Sequence, residues 1–343
     1  MGVLYATVER VKLDGDLRGA DLNPQIARAL ESASRSIDGA RPGGGRLGRR
    51  FYPETATRYF SALNVDATGT LSLGRYELAA APTTVVNDGT SLTVNVDYVP
   101  WPQEGPPYNA LRFLTSGAWS STFRGVVITG VWGYNTEESP AGTIAEDLDA
   151  SETGVDVSDV SAIGVGSIIR VDSERMIVTD KTLVTSGQTL GTPLTAFNDD
   201  QLVAVANGTA FHANEVITLD AERMLITSIA GNTLTVVRAY DGSPLDTHTG
   251  STIYVPRTLT VQRGALGTAA AIHTNGAAIN RHVVPALVES LAIAETLDQI
   301  QQESGAYAGT SGEGGSVPVG AGLPGIRADA TQAYRRPTTW LGV

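Results

Sequence analysis

Apolar and polar positions alternate along the chain with changing period. Ile26, Leu30, Ala33 and Ile37 recur at spacings of four, three and four, the single stripe of an amphipathic helix. Asn23-Pro24 reads as its N-cap and first helical residue, while Gly39, Pro42 and the run Gly43-Gly44-Gly45 stop it, with a loop to about Pro53. From Thr55 to about Tyr134 the period drops to two. It is clearest where Leu92, Val94, Val96 and Tyr98 alternate with Ser91, Thr93, Asn95 and Asp97, just after an Asn87-Asp88-Gly89 turn. Leu71, Leu73 and Val126 to Val131 supply further strands, and Pro100, Pro102, Pro106 and Pro107 mark a loop that does not suit a central sheet. A last long helix is expected from about Pro285 to Ser304, ended by Gly305. At about 100° per residue, Val284, Leu287, Val288 and Leu291 share one face, and Ile293, Leu297 and Ile300 share nearly the opposite one. Either a second partner, such as a neighbour in an oligomeric ring, covers the second face, or the helix is buried inside one large domain.

Between these regions the chain repeats itself. Residues 155 to 180 match 203 to 228 at a constant offset of 48, with Asp172/Asp220, Glu174/Glu222, Arg175/Arg223 and Met176/Met224 identical. A second match, at offset 25, pairs Leu234-Thr235-Val236, Arg238, Gly242 and His248 with Leu259-Thr260-Val261, Arg263, Gly267 and His273. The first match covers a front half and the second a back half, so the order is front half, complete copy, back half. One small β unit inserted into the turn of another gives that order, and a tandem array with eroded ends is the competing account. Pairing of 168–179 with 259–263 distinguishes them.

These patterns predict an α+β fold: a helical base formed by N- and C-terminal helices, with inserted β domains that include a nested duplicated small β module. The expected segments are a helical segment 1–54, a β domain 55–136, an acidic linker 137–154, the nested module 155–281 (inner copy 203–254), a C-terminal helix 282–304 and a flexible arm 305–343. The linker reading rests on eight acidic and no basic residues between Glu137 and Asp159, and the arm on eight Gly and two Pro within 305–325. The arm reaches at most about 70 to 80 Å if extended from Gly309 to Ala330. It ends in Tyr334, Arg335, Arg336, Trp340 and Leu341, apolar and guanidinium anchors of the kind that dominate interfaces. Together with Ile293, Leu297 and Ile300 these form the expected assembly interface.

Composition narrows the function. The 343 residues are 42% hydrophobic without a run of about 18 apolar residues, and Glu9 and Arg10 interrupt the opening stretch too early for a secretory leader, so no membrane is expected. There is no cysteine for a disulfide or thiolate-bound metal. The net charge is −12, and residues 57–281 carry twenty-three acidic against twelve basic side chains, a poor footprint for gripping phosphates. Only two of the twenty-four basic residues are Lys, a bias that points to a GC-rich genome.

Chemistry-bearing motifs are missing. Gly43-x-Gly45-x-x-Gly48 has the spacing of a dinucleotide loop but follows a helix and lacks the strand that the mechanism needs. The four histidines fall in no metal-ligand spacing, and the acids lack a calcium-loop pattern. Asp172/Glu174 and Asp220/Glu222 have the form of paired carboxylates, yet each sits beside an Arg in a duplicated turn, where local charge pairing accounts for it. No catalytic, cofactor or metal residue is therefore assigned, and no enzyme activity is expected.

The runs Ala29-Leu30-Glu31-Ser32-Ala33-Ser34-Arg35-Ser36-Ile37-Asp38, Arg49-Arg50-Phe51-Tyr52-Pro53, Thr57-Arg58-Tyr59-Phe60 and Gly130-Val131-Trp132-Gly133-Tyr134 resemble head-to-tail connector (adaptor) proteins of long-tailed phages, especially those of actinobacterial hosts. The units at 172–176 and 261–269 resemble a β module of such virion proteins. The resemblance implies a structural protein of the virion neck, assembled in the host cytoplasm as a dodecameric ring of copies of itself. Its implied partners are the portal protein, the next neck or tail-completion protein, and DNA passing through the channel without sequence-specific binding. As insertions, the nested modules are expected to project outward and to be dispensable for ring closure. A carbohydrate- or receptor-binding virion β protein is the alternative, weakened because 155–281 contain no Trp.

Overall fold

Both ends of the chain build one helical core in the computed structural model, which describes residues 2–39, 47–114, 117–307 and 322–335. Its helices are α1 (Val8–Asp14), α2 (Asn23–Asp38), α3 (Ala286–Tyr307) and α4 (Leu323–Tyr334). The expected stripe of α2 is buried, Ile26, Leu30 and Ile37 packing in one cluster with Val288, Leu291 and Ala292 of α3. Gly39 ends α2 in the left-handed conformation (φ 71°) that a side chain disfavours. Asn23 is the first helical residue and not the cap; its Oδ1 accepts a hydrogen bond from Lys12 Nζ at 3.2 Å. The short helix α1 starts where the Thr7 hydroxyl accepts from the Arg10 amide at 3.2 Å.

The stretch expected as a flexible arm contains α4, which docks. Leu323, Ile326, Ala330 and Tyr334 recur at three, four and four, and Leu323 and Ala330 are buried in the helical cluster. Arg327 grips both carboxylate oxygens of Glu295 on α3 at 2.7 Å. The stripe supplies enough apolar surface to hold a helix against the core although the residues before it are mostly Gly and polar.

The β domain holds β1 (Glu54–Phe60), β2 (Thr70–Ser72), β3 (Thr84–Asn87), β4 (Thr90–Leu92), β5 (Tyr98–Trp101), β6 (Ala110–Phe113) and β7 (Val126–Trp132). Two antiparallel sheets, in orders β1-β7-β3-β4 and β2-β6-β5, close on a core that includes Phe60, Leu71, Leu78, Leu111, Ile128 and Trp132. β5, which carries Pro100, lies at an edge where a missing N–H costs no ladder bond. The alternation at 91–98 does not make one strand. β4 stops at Leu92, Asn95 turns the chain with φ 62°, and Asp97 returns its carboxylate to the Thr93 amide at 2.7 Å.

The rest is one ten-stranded antiparallel sheet: β8 (Glu138–Thr143), β9 (Gly154–Asp156), β10 (Ile168–Val171), β11 (Glu174–Thr189), β12 (Leu202–Ala204), β13 (Val216–Leu219), β14 (Glu222–Ala230), β15 (Thr233–Val237), β16 (Thr252–Gln262) and β17 (Ala278–His282). The duplication is nested. Ile177 pairs with Gln262 and Val178 with Val261 in the outer unit, as Leu225 pairs with Val237 and Ile226 with Val236 in the inner one. Even the irregularity after the second pair recurs, between Val178/Asp180 and between Ile226/Ser228. The long strands β11 and β16 run through both units. Their ends toward Glu174 and Gln262 belong to the outer copy, and their other ends, with Val184 opposite Val255 and Thr189 opposite Thr252, belong to the inner.

Each copy has its own core. The outer contains Ile144, Leu148, Val155, Ile169, Met176 and Leu259, and the inner Leu194, Val203, Ile217, Met224, Leu234 and Ile253. Residues 137–154 are consequently not a solvated linker. They supply β8, and they bury Ile144 and Leu148 while several of their acids point at backbone donors: Glu146 at the Asp156 amide, Asp147 at Asn275, Asp149 at Ser151 and Glu152. Among the described residues no helix is long and apolar enough to cross a membrane.

Candidate assembly surface

The duplicated carboxylates sit at the tight turns that lead from β10 into β11 and from β13 into β14. Glu174 accepts from Arg263 Nε at 2.8 Å and a terminal guanidinium nitrogen at 2.9 Å, and from the amides of Gly264 and Ala271. His273 lies between Asp172 and Glu174, its ring nitrogens 2.8 and 2.9 Å from their oxygens. The inner copy repeats this with Glu222, Arg238, the Ala239 and Asp246 amides, and His248 between Asp220 and Glu222. Burial alone would raise each glutamate, but the arginine, histidine and amide donors outweigh it and lower both Glu174 and Glu222 to about 2.

The neighbouring Arg175 and Arg223 are thus not the partners of these glutamates; the arginine of the back half is. Arg263 also ties down the Asp149 and Glu152 carbonyls, and Arg238 the Thr195 and Asp200 carbonyls. With their lone pairs occupied and their side chains out of solvent, Glu174 and Glu222 join the two halves of each copy. Among the described residues no cluster of three or more His, Asp or Glu side chains is arranged to hold a metal.

The turn after each back-half arginine is a docking element, and the two copies use it on different neighbours. In the outer copy the Leu266 carbonyl accepts from the Thr55 amide at 2.9 Å, and a Cβ on Gly267 would fall 1.9 Å from the Thr55 oxygen. In the inner copy Asp241 takes a bond from the Gly19 amide at 3.1 Å and pairs with Lys12 at 2.6 Å and Arg223 at 2.5 Å. The modules are therefore fastened to the β domain and the helical base.

The residues expected at the interface separate into three groups. Ile293 is buried and Leu297 and Ile300 are partly buried in the chain's own helical cluster, where α4 and the end of α1 join α2 around α3. The second face of α3 is thus met within the chain; a Cβ on Gly15 would lie 2.5 Å from Leu297 Cδ2. Tyr334 is likewise internal, its ring edge-on to Phe51 and Tyr134 at centroid distances of 5.6 and 5.5 Å. Arg335 is exposed at the end of α4, and Arg336, Trp340 and Leu341 lie outside the described residues.

Sequence reasoning missed a set of exposed apolar side chains in the loops of the β domain. Phe60 of β1 pairs with Val126 of β7, and Asn87 at the end of β3 with Val126, so the loops after β1 and before β7 leave the same end of the domain. The Trp119 indole donates to the Gly69 carbonyl and the Asn87 amide to Ala118, which brings the second sheet's loops to that end too. In the loops of the β domain Leu63, Val96, Leu114 and Phe123 are 86%, 62%, 50% and 82% exposed. A monomer gains nothing by holding these large apolar side chains in water. The signal is present as apolar residues in turn-rich segments, but Val96 also fits the alternation of a half-buried strand.

No protein-family model matches the chain, and neither a curated protein nor a solved structure is detectably similar to it.

Proposed function

We propose that the chain is a structural subunit of a tailed-phage virion, a head-to-tail adaptor whose copies form a ring between portal and tail around the path of the DNA. The observation that carries this reading is the exposure of Leu63, Val96, Leu114 and Phe123 in the loops of the β domain, apolar side chains suited to burial against a neighbour. The rest of the molecule is consistent with a scaffold: the duplicated carboxylates are spent on joining chain halves, and a helical base made from both ends of the chain carries the β bodies.

Negative-stain micrographs and native mass spectrometry of the purified chain, alone and with portal-bearing heads, test it. Closed rings or capture by heads are expected, both weakened in the Leu63→Ser/Phe123→Ser double variant. A chain that stays monomeric and is not retained by heads overturns the reading.

A further inference from the structure

Four arginines converge at the junction of the helical base and the β domain, where a half-open cavity of about 120 Å³ is lined by Arg49, Arg50, Arg58 and Arg75. Asp38 and Glu77 also line it. Arg49 reaches Glu77 at 3.3 Å, and Arg50 and Arg58 converge on one oxygen of Glu54 at 2.6 and 2.7 Å. Among the described residues four guanidiniums thus face three carboxylates, a local excess of positive charge in a chain of net charge −12.

Stacking holds the arginines in place. The Arg58 guanidinium lies 3.8 Å from the centre of the Tyr76 ring and 5.0 Å from Trp132, and Arg75 lies 5.0 Å from Tyr76 while donating to its hydroxyl at 2.8 Å. Pre-positioned guanidiniums lose little entropy on taking a ligand, and their planar forks suit an oxyanion. Tyr76 reports the local field: burial would raise its phenol, but the hydrogen bond from Arg75 and the charges of Arg58, Arg75 and Arg50 hold it below its ordinary value.

We infer that this cavity is a binding site for a single phosphate-type oxyanion, with Arg50 and Arg75 as its most accessible donors. The volume admits one such group and leaves any sugar or base attached to it outside the cavity. The inference goes beyond the ring-forming role and stands without it. Two sources share the chemistry, free phosphate and a phosphodiester of DNA.

Calorimetric titration of the full chain with inorganic phosphate at constant ionic strength tests the site. Saturable binding is expected, weakened roughly tenfold or more by Arg75→Gln or Arg50→Gln, the loss expected for a charge-assisted donor, and partly restored by Arg75→Lys. Arg75 is exposed, so its variants retain the fold, which circular dichroism checks. A second arm titrates a short DNA duplex: binding that the same variants weaken and that phosphate competes away identifies DNA as the source, and phosphate binding without duplex binding identifies the free ion. No saturable phosphate binding, or equal binding by the parent and both Gln variants, overturns the inference.

Discussion

Arg238 and Glu222 face each other with both side chains wholly removed from solvent, joined by two hydrogen bonds of 2.7 and 2.8 Å. Sixteen residues separate them, whereas the equivalent Arg263 and Glu174 are separated by 89. The same local chemistry therefore closes a short-range contact in the inner copy and a long-range one in the outer.

Removing one partner leaves the other buried and uncompensated, at a cost of about 3–5 kcal/mol. Glu222→Gln and Glu174→Gln are each expected to lower unfolding free energy by that order in urea titrations. A change below about 1 kcal/mol would show that Arg238 or Arg263 finds replacement acceptors.

Acid sensitivity follows from the same pairs. Glu174 and Glu222 are lowered to about 2 from an ordinary 4.5, so the unfolded chain binds protons at a higher pH than the folded one. Their stabilisation, on the order of 3 kcal/mol each, is complete above the unfolded value and is lost as pH falls from about 4.5 toward 2. Denaturation midpoints measured across this window should drop steeply in the parent and less steeply in Glu222→Gln.

Gly267 combines a positive φ of 76° with backbone contact to Thr55. Gly267→Ala should cost about 1–3 kcal/mol from conformation and displacement of the docked turn. Hydrogen exchange at the Thr55 amide should rise. Unchanged protection there would mean the turn is not what holds the outer module to β1.

Truncation separates a docked helix from a loose arm. Ending the chain after residue 335 keeps Tyr334 against Phe51 and Tyr134, but ending it after 330 removes an aromatic from the helical core. The shorter form is expected to lose about 2–3 kcal/mol and the longer one very little. Thermal unfolding of the two chains distinguishes the cases.

What could be read from sequence depended on how local the determining contacts are. The α2 stripe was legible because its partners fall on one helix face at fixed spacing. The nested copies were legible because identities at two offsets survive on buried positions such as Met176 and Met224. The same spacing logic would have found α4 from Leu323, Ile326, Ala330 and Tyr334, but glycine counts over 305–325 concealed it. Acid counts hid Ile144 and Leu148 in the same way. The junction of Lys12 with Asp241, 229 residues apart, and the convergence of Arg49, Arg58 and Arg75 have no periodic trace, so only the folded chain reveals them.

Nesting also imposes an order of assembly. Lys181 and Leu259 are register partners 78 residues apart, and closing that span as a free loop costs roughly 4 kcal/mol of chain entropy beyond a constant term. Once the inner copy has folded, Val184 and Val255 are already opposed, and the outer hairpin grows one residue pair at a time from a closed end. Pulse-labelled amides of 222–237 should accordingly become protected before those of 174–180 and 259–262. The inserted copy then acts as a folding nucleus for the unit that surrounds it, and an interior duplication that looks like an added burden shortens the search of its host.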